Sequence, residues 1–422
     1  MSTKLEKISK EFILENSEIF IQQSNEFGFC WLDSSMTVSD KGKSSYLFTE
    51  PVAEIYLQNE DIIFKTIENF QIDYNHNLDI YSIVDEIVHR YDLIAVGYIS
   101  YESTLKQYGI RRFKQLELPS VRFLFYKEKL EFQTKELPVF ETLQNCADSS
   151  VVEIVSQSEY MQKIDTIKQH IKEGDIYQAN YTTRFKINSH LSPIETYLSL
   201  RNLNPAPYAS YLNFGNYQIL SSSPERMFTI ENNQITTCPI KGTISIGENI
   251  AEQQLNLESL LNSEKDKAEL LMIVDLMRND LGKIAKTGTV RVDSLFKPEI
   301  YSSLIHLVSE ISADLNPNKT LTKIVNALLP GGSITGAPKK RAIEIIQSVE
   351  QSPRFIYTGS IGYISKEKVD FDIAIRTMYR YNNHYYIHAG GGIVADSDPK
   401  DEYNEMLLKV KNLFKAVGLQ YE

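Results

Sequence analysis

The stretch that most constrains the fold is Ser263–Gly282, where apolar residues recur at helical spacing. They cover much of the predicted helix surface, so we expect the helix to be heavily buried. Ser263 and Asp266 match a capping pair at its start. Glu269 lies on or beside the apolar stripe, where a carboxylate is seldom left unpaired. Glu269 is therefore either a metal ligand or ion-pair partner, or a residue at the exposed margin of the stripe.

Length and charge limit the possible function classes. The 422 residues can form two or three domains or one large core with insertions, and 42% hydrophobic with 23% charged residues is a globular composition. The formal net charge is −11 and no basic block stands out, which argues against a nucleic-acid binder. An anionic substrate would need local positive groups that override the global charge.

The cysteines and the N-terminal segment indicate a compartment. Cys30, Cys146 and Cys238 in so long a chain favour a reducing environment, and their spacing is not that of a zinc site. Met1–Leu14 is charged and amphipathic, unlike a signal peptide, and no apolar run approaches about 18 residues. We therefore expect a cytoplasmic protein with no membrane segment.

The first 150 residues are rich in β-type runs. They comprise Phe27–Leu32, Ser45–Phe48, Leu93–Tyr101 and Val121–Tyr126, with one helical pattern at Asp79–Asp92. Trp31, the single tryptophan, is predicted to be a core residue. The polar stretch Glu141–Ser150 suggests a junction between an N-terminal region, 1–150, and a second region, 151–422.

Several polar residues of the second region lie in or beside predicted strands. A helix capped by Ser158 leads into a strand at Asp175–Phe185, whose Gln178 needs a partner if it faces inward. Tyr217–Ser222 and Met227–Ile230 are predicted to form a hairpin around Glu225, which on local grounds is a solvated turn residue.

Lys241 follows the predicted strand Gln234–Thr237, and Gly242 permits a sharp turn just after it. A lysine at a strand end is either a solvated charge or an amine directed into a pocket. His306, alone in the apolar run Tyr301–Ile311, is on local grounds a satisfied core histidine.

The last hundred residues add a glycine-rich loop and a second charged helix. Leu329–Arg341 leads into a helix N-terminus, which favours anions, although Ala-Pro-Lys after Gly336 does not match a P-loop. Two strands are predicted at Phe355–Ile364 and Asp370–Tyr379, the latter carrying Arg376, and a third, Tyr385–Val394, contains Gly390, Gly391 and Gly392. These glycines either let the backbone approach a ligand or form a flexible bend.

The final helix begins at the cap Asp398 with Pro399 in its first turn. Glu402, Glu405 and Lys409 lie on one stripe of it, which taken alone is a solvated face. Carboxylates from two helices can also hold Mg²⁺, which keeps water or substrate oxygens in its other positions.

In combination, these segments resemble the chorismate-utilising enzymes, a family that includes anthranilate, aminodeoxychorismate, isochorismate and salicylate synthases. The matching blocks occur in order over about 250 residues. They are Asp175–Asn180, Ser223–Arg226, Pro239–Thr243, Ala268–Asp280, His306–Ser309, Gly336–Lys339, Gly390–Ile393 and Asp396–Pro399. The first 150 residues match more loosely, at Trp31–Ser34 and Ser100–Glu102.

Two positions separate the reactions within this family. Anthranilate synthases typically have alanine where this chain has Lys241, and aminodeoxychorismate synthases have lysine. The isochorismate and salicylate synthases use a water-activating lysine at the position of Gln178, where aminating members have glutamine. With lysine at 241 and glutamine at 178, the chain resembles the aminodeoxychorismate synthases, which aminate chorismate on the way to p-aminobenzoate and folate. An anthranilate synthase large subunit and a non-catalytic chorismate-binding homologue are the alternatives.

The resemblance also implies roles for particular residues. Lys241 is the implied nucleophile, Glu225 the general acid, and His306 a residue for positioning. The substrate-binding set consists of Gln178, Thr243, Tyr357, Arg376, Gly390, Gly391, Gly392 and Lys409. Mg²⁺ is implied at Glu269 and Glu405, with Glu402 and Asp266 in outer contacts; at the last position the family more often has glutamate.

The fold implied by the resemblance is α+β, with two large facing antiparallel sheets flanked by helices, the anthranilate synthase component I fold. Strands from residues 1–150 are expected to join both sheets. No glutaminase nucleophile block is found around the cysteines, so we expect ammonia from a separate glutamine amidotransferase subunit. Chorismate and ammonia are the expected substrates.

Overall fold

The computed structural model describes residues 16–36, 38, 41–67, 70–110, 116–133, 149–247, 249–301 and 304–420. Cys146 and most of the predicted junction Glu141–Ser150 lie outside these residues, as does Met1–Leu14. In the described ranges, no helix is long and apolar enough to cross a membrane.

The strands, in chain order, are β1 (Cys30–Asp33), β2 (Ser45–Phe48), β3 (Ala53–Gln58), β4 (Asp61–Thr66), β5 (Ile94–Ile99), β6 (Val121–Tyr126), β7 (Leu130–Phe132), β8 (Ser150–Glu153), β9 (Gln178–Asn188), β10 (Tyr208–Asn213), β11 (Tyr217–Ser223), β12 (Arg226–Glu231), β13 (Gln234–Thr237), β14 (Ile240–Ser245), β15 (Arg291–Ile300), β16 (Leu304–Asp314), β17 (Gly336–Ala337), β18 (Ser360–Ile364), β19 (Lys368–Asp372), β20 (Thr377–Tyr381) and β21 (His384–Ile393). The α-helices are α1 (Ser17–Ser24), α2 (Ile80–Tyr91), α3 (Gln157–Lys172), α4 (Pro193–Leu203), α5 (Ile250–Asn262), α6 (Glu264–Gly282), α7 (Leu321–Leu328), α8 (Lys339–Val349) and α9 (Pro399–Ala416).

The described strands form two antiparallel sheets, as the fold prediction expected. The first sheet has the order β17-β9-β21-β20-β11-β10-β1-β2-β7, with β8 beside β9. The second has the order β14-β16-β13-β12-β19-β18-β5-β6-β3-β4, with β15 beside β16. Strands from the first 150 residues lie in both sheets, because β1 pairs with β10 and β5 pairs with β18.

Alternation along the strands explains how both faces of each sheet are buried. In β5, Val96 and Tyr98 pack between the sheets, whereas Ala95 and Ile99 pack towards helices α2, α6 and α7. The first sheet uses the same period of two and buries its outer face against α3, α4, α8 and α9. A sheet buried on both faces needs nearly continuous apolar strands, as in β6, where all six residues are buried.

Two of the places where the chain passes from one sheet to the other are adjacent. Pro224 and Glu225 connect β11 of the first sheet to β12 of the second, and Ile373–Arg376 connect β19 back to β20. The two crossovers are hydrogen-bonded together, since the Ile373 N–H donates to the Glu225 carbonyl at 2.9 Å. Ser223 Oγ donates to the Ile373 carbonyl at 2.7 Å.

These crossovers correct two predictions. The hairpin prediction for Tyr217–Ser222 and Met227–Ile230 was wrong, because those runs belong to different sheets. The single strand predicted at Asp370–Tyr379 was also wrong, since Arg376 lies in the connection between two strands. Glu225 is only 5% exposed, so it is not a solvated turn residue.

Smaller differences concern element ends. The cap of α3 is Ser156, not Ser158, because its side chain accepts the N–H of Glu159. Phe355–Ile364 is a strand only from Ser360. Helix α6 is buried along one face but leaves Leu271 46% exposed, so it is less enclosed than its composition predicted.

Candidate active site

A cavity of about 810 Å³ opens beside the two crossovers. Thirteen of the residues predicted for the site line it: Glu225, Lys241, Thr243, Asp266, Glu269, His306, Tyr357, Arg376, Gly390, Gly392, Glu402, Glu405 and Lys409. Gln178 and Gly391 do not line the cavity, but they adjoin residues that do. A smaller cavity of about 220 Å³ elsewhere between the sheets is lined by none of the predicted residues.

The charge of the cavity differs from that of the whole chain. Five cationic side chains line it (Lys241, Lys265, Arg376, Lys409 and Lys411), and five acidic ones face them (Glu225, Asp266, Glu269, Glu402 and Glu405). The lining is therefore balanced, whereas the chain carries a formal charge of −11. Local cations thus offset the global field where an anion would enter.

Lys241 lies within β14 and projects into this cavity. Gly242 has a φ of +71°, and the pairing with β16 shifts between Lys241 and Thr243, so the glycine forms a β-bulge, not the sharp turn predicted. The Lys241 Nζ lies 4.0 Å from Glu269 Oε2, and the side chain is 18% exposed. Burial lowers the pKa of Lys241, and the charge of Lys409 lowers it further, against the opposing influence of Glu269 and Glu225. This environment favours the neutral, nucleophilic amine.

Gln178 lies next to this amine. It is 1% exposed, and within the described part of the chain neither its amide oxygen nor its nitrogen has a hydrogen-bond partner. A Cβ placed on Gly392 would lie 2.6 Å from Gln178 Nε2 and 3.4 Å from Lys241 Nζ. The absence of a side chain at 392 therefore lets the amide and the amine approach the same strand. Gly390–Gly392 form part of a long strand paired with β9, not a flexible bend.

Glu225 reaches the cavity from the first crossover. Ser333 Oγ donates to its Oε1 at 3.0 Å, and the Ile240 N–H also donates to the carboxylate. Burial raises its pKa to about 7, although these hydrogen bonds and Lys241 and Lys41 act in the opposite direction. A carboxyl with such a pKa can keep its proton near neutral pH and donate it to a leaving group.

His306 is held by two neighbours. The hydroxyl of Thr243 and the Nδ1 of His306 are 2.9 Å apart, and the Tyr301 ring stacks edge-on at 4.8 Å. Burial lowers the pKa of His306 to about 4, and the charge of Arg376 adds to this effect. His306 is therefore a neutral imidazole that lines the cavity as well as the core.

Arg376 and Tyr357 form the deep polar part of the lining. Arg376 has a φ of +53° and donates from Nη1 to the Lys409 carbonyl at 2.6 Å. Burial raises the pKa of Tyr357 to about 12, so its hydroxyl stays protonated. His388 stacks on the Tyr357 ring with centroids 5.5 Å apart, a contact that the sequence reasoning missed. The only signal for it was a histidine two residues before Gly390 on the same strand face.

Four of the five acidic side chains, Asp266, Glu269, Glu402 and Glu405, come from α6 and α9, as the resemblance implied. Glu405 lies 2.7 Å from Lys409 Nζ, which also donates to the Gly390 carbonyl at 2.9 Å. Burial acts to raise the pKa of Glu405, but Lys409, Lys241 and Lys265 together outweigh it and the pKa is lowered. Burial raises the pKa of Glu402, whose Oε1 accepts from Ser397 Oγ at 2.6 Å. Asp266 accepts a hydrogen bond from the hydroxyl of Ser263 at the cap of α6.

These carboxylates form a suitable but open set for a divalent cation. Carboxylate oxygens suit Mg²⁺, which needs only one or two of them besides water and substrate oxygens. Among the described residues, the one tight group of three candidate ligands is His170, Glu173 and Asp175, away from this cavity. Glu269 and Glu405 therefore face one space from two helices without forming a closed cage.

The glycine-rich loop supplies support to the site. Ser333 of this loop holds Glu225, and Lys339 at the start of α8 pairs with the buried Asp280 of α6. The positive charge of Lys339 at this helix N-terminus is thus paired with the carboxylate of Asp280.

Comparison with known proteins identifies the family. A family model described as chorismate binding enzyme matches residues 30–415. The chain belongs to this family. The resemblance inferred from the ordered motifs is confirmed.

Individual relatives carry two different names. "Probable aminodeoxychorismate synthase, chloroplastic" of Oryza sativa subsp. japonica is 45% identical over 267 residues, which is 62% of this chain and 30% of that protein. "Anthranilate synthase component 1" of Aquifex aeolicus (strain VF5) is 35% identical over 368 residues, 85% of this chain and 72% of that protein. The chain thus spans less than a third of the length of the rice relative.

A solved structure has the same fold. Anthranilate synthase component I from Streptococcus pneumoniae TIGR4 superposes with a TM-score of 0.74 at 28% identity, covering 88% of this chain and 92% of that one. The two-sheet architecture is therefore that of anthranilate synthase component I, as expected from the sequence.

Proposed function

We propose that this chain is the synthase component that converts chorismate and ammonia to 4-amino-4-deoxychorismate. The observation that carries the proposal is the pairing, in one cavity, of an amine whose pKa is lowered and a carboxyl whose pKa is raised. A nucleophile must be unprotonated and a general acid protonated at the same pH. The directions of the two pKa shifts, downward for Lys241 and upward for Glu225, favour these two states together.

Substrate binding relies on the cationic part of the lining. Chorismate is a dianion, and Arg376 can contact one carboxylate through its fork while the Tyr357 hydroxyl donates a further hydrogen bond. Lys409 adjoins this polar surface: its carbonyl accepts from Arg376, and its Nζ donates to the Gly390 carbonyl. Neutral His306 and Thr243 adjoin Lys241 across β14 and β16 and position the ring.

The covalent step uses the two catalytic side chains. The Lys241 Nζ attacks C2 of the ring, both ring double bonds shift, and the C4–O bond breaks as Glu225 protonates the departing hydroxyl. Water leaves and the lysine is joined to C2. Ammonia then attacks C4, both double bonds shift back, and Lys241 departs from C2 as a neutral amine that keeps its two protons. One proton of the new C4 ammonium group restores Glu225, so the sum is chorismate plus ammonia giving aminodeoxychorismate and water.

Mg²⁺ is proposed as the cofactor, held by Glu269 and Glu405 with outer contacts from Glu402 and Asp266. When bound, such a cation neutralises a substrate carboxylate and polarises oxygens near it. Ammonia is proposed to come from a separate glutamine amidotransferase subunit, and the enzyme is proposed to act in the cytoplasm in p-aminobenzoate and folate synthesis.

Anthranilate synthase is the second candidate, because relatives of that name align over more of this chain than the rice protein does. Its product would be aromatic and fluorescent. A non-catalytic chorismate-binding homologue is a weaker alternative, since binding alone needs neither an amine nucleophile nor a protonated carboxyl.

The deciding experiment incubates the protein with chorismate, Mg²⁺ and concentrated ammonium salt and identifies the product by mass spectrometry. We expect 4-amino-4-deoxychorismate; anthranilate or isochorismate in its place would refute the assignment. Lys241→Ala is expected to reduce amination strongly, while Lys340→Ala, an exposed lysine outside the cavity lining, serves as the control. Full amination by Lys241→Ala would leave the product assignment standing but refute the covalent route.

A further inference from the structure

A buried ion pair joins the N-terminal region to the edge of the active-site cavity. The Lys41 Nζ lies 2.8 Å and 2.9 Å from the two carboxylate oxygens of Glu299, with 4% and 3% of the side chains exposed. The desolvation of such a pair offsets most of its attraction, so a buried pair is a weak source of stability. Its position offers a better explanation of its presence.

Glu299 lies in the strand row that contains the cavity residues. In β15 it is opposite His306 of β16, and His306 is in turn opposite Thr243 of β14. Residues in one row of a sheet share a face, so Glu299 faces the same side as these two residues. The Lys41–Glu299 pair therefore lies beside the row that leads to Lys241.

Tyr301 connects the pair to the crossover that carries Glu225. Its hydroxyl lies 3.5 Å from Glu299 Oε2 and donates to the Pro224 carbonyl at 3.3 Å. Its ring lines the cavity and packs edge-on against His306. One side chain thus contacts the buried pair, the residue preceding Glu225 and the neutral histidine.

We propose that Tyr301, held by the buried Lys41–Glu299 pair, is a positioning residue that fixes the Glu225 crossover against the substrate, and that the pair sets the charge around Glu225. This inference rests on the proposed function, because it assigns Glu225 the role of acid. The charged and titratable groups that face Glu225 are Lys241 on β14, Lys41 on the β1–β2 connection and Tyr301 after β15, with Ser333 as its hydroxyl partner.

The electrostatic part predicts shifts of opposite sign. Lys41→Met removes a positive charge near Glu225 and leaves the Glu299 carboxylate, so the alkaline limb of kcat/KM for chorismate moves to higher pH. Glu299→Gln leaves the Lys41 ammonium unpaired and moves the limb to lower pH. A nearby charge shifts a pKa by up to about one to three units, so we expect each shift to be about half a unit or more.

The measurement compares these variants with the neutral double variant Lys41→Met/Glu299→Gln at a fixed concentration of free ammonia. The alkaline limb of kcat/KM of the double variant should fall between those of the single variants. A general loosening of the site would not produce this pattern. The electrostatic role of the Lys41–Glu299 pair would be overturned if the alkaline limbs stayed in place, or if they moved in the same direction in both single variants.

Tyr301→Phe tests the positioning role separately and keeps the ring packed on His306. We expect kcat to fall about tenfold while KM for chorismate changes less than twofold, the range that loss of one positioned contact produces. An unchanged kcat, or equal changes in kcat and KM, would contradict it. If chorismate were converted to another product, the proposed function would be overturned, but the pH profiles of that reaction would still test the role of the ion pair. No turnover of chorismate at all would overturn both the proposed function and this inference.

Discussion

At the scale of single residues, burial has opposite consequences for the two groups at the centre of the site. Removal from water disfavours the charged form of both, so it lowers the pKa of the Lys241 amine and raises that of the Glu225 carboxyl. The low-dielectric cavity thus favours the neutral form of both groups. At alkaline pH the ionised Glu225 carboxylate is poorly solvated in the folded protein, which costs stability.

Glu225→Gln is therefore expected to inactivate the protein and stabilise it at alkaline pH. The pKa of Glu225 is about 7 in the folded chain and 4.5 when unperturbed, so its stability contribution is present below pH 4.5 and lost as pH rises through 7. At pH 8 the free energy of unfolding of the variant should exceed that of the parent protein by up to about 3 kcal/mol. At pH 5 this difference should be below about 1 kcal/mol.

Urea unfolding of both proteins at pH 5 and pH 8 checks this expectation. Ser333→Ala is a useful companion, since it removes one hydrogen bond to the Glu225 carboxylate without changing charge. A difference between Glu225→Gln and the parent protein that is the same at both pH values would contradict a raised pKa.

At the scale of elements, the triple glycine of β21 serves different purposes at its successive positions. A Cβ on Gly390 would lie 1.8 Å from the Tyr181 carbonyl oxygen, so backbone would have to move. A Cβ on Gly392 would meet the end of the Gln178 side chain, near Lys241 Nζ. The first glycine is thus required for strand packing and the third for the site.

Alanine substitutions should separate these purposes. Gly390→Ala is expected to lower the unfolding midpoint clearly, because a backbone carbonyl cannot move aside without breaking the pairing with β9. Gly392→Ala is expected to keep the fold but to reduce amination about tenfold or more by displacing the Gln178 amide. Circular dichroism melting and product formation, measured on both variants, test the distinction; a Gly392→Ala protein with unchanged activity would refute it.

Helices α6 and α8 are joined by a second buried ion pair, between Asp280 and Lys339. Asp280 also lies 2.7 Å from the half-exposed Lys283, so Lys339→Met leaves the carboxylate one partner. Asp280→Asn, by contrast, leaves the buried Lys339 ammonium without its carboxylate partner. We expect Asp280→Asn to cost about 3–5 kcal/mol of unfolding free energy and Lys339→Met distinctly less. Equal losses in chemical denaturation would contradict this account.

Sequence pattern predicted elements better than it predicted their partners. Helix α9 was predicted with its cap Asp398 and its charged stripe of Glu402, Glu405 and Lys409, because capping and the 3.6-residue period are local properties. The apparent hairpin around Glu225 was wrong, since a period of two is the same whether neighbouring strands pair or enter different sheets. For the same reason Arg376 was placed in a strand, although it lies in a connection with positive φ.

Residues of the candidate site were found by a different route from the elements. Local rules favoured a solvated turn for Glu225 and a solvated stripe for Glu402, Glu405 and Lys409. Their placement around one cavity depends on contacts between residues far apart in the chain, such as Ser333 with Glu225. Tyr301 and His388 were missed because their contacts, with Glu299 and Tyr357, depend on sheet register, which a single sequence does not reveal.

At the scale of the whole molecule, the strands of the first 150 residues form one end of each sheet, from β1 to β7 in the first and from β5 to β4 in the second. Strand β1 lies between β10 and β2, and β5 lies between β18 and β6. Removing residues 1–150 would expose the edges of β10 and β18 and the inter-sheet cluster that includes Leu212 and Ile361. The division at residue 150 is then unlike the boundary of an independent domain, across which few contacts pass.

A fragment of residues 151–422 is accordingly expected to aggregate or to lack a cooperative unfolding transition, even though it carries every residue proposed for the site. The full chain should unfold in a single transition, with intrinsic fluorescence of Trp31 in the first region changing together with loss of chorismate turnover. Trp31 is fully buried and therefore reports on the first sheet. A soluble fragment that melts cooperatively and aminates chorismate would show that the second region is a domain in its own right, and that the N-terminal strands contribute stability alone.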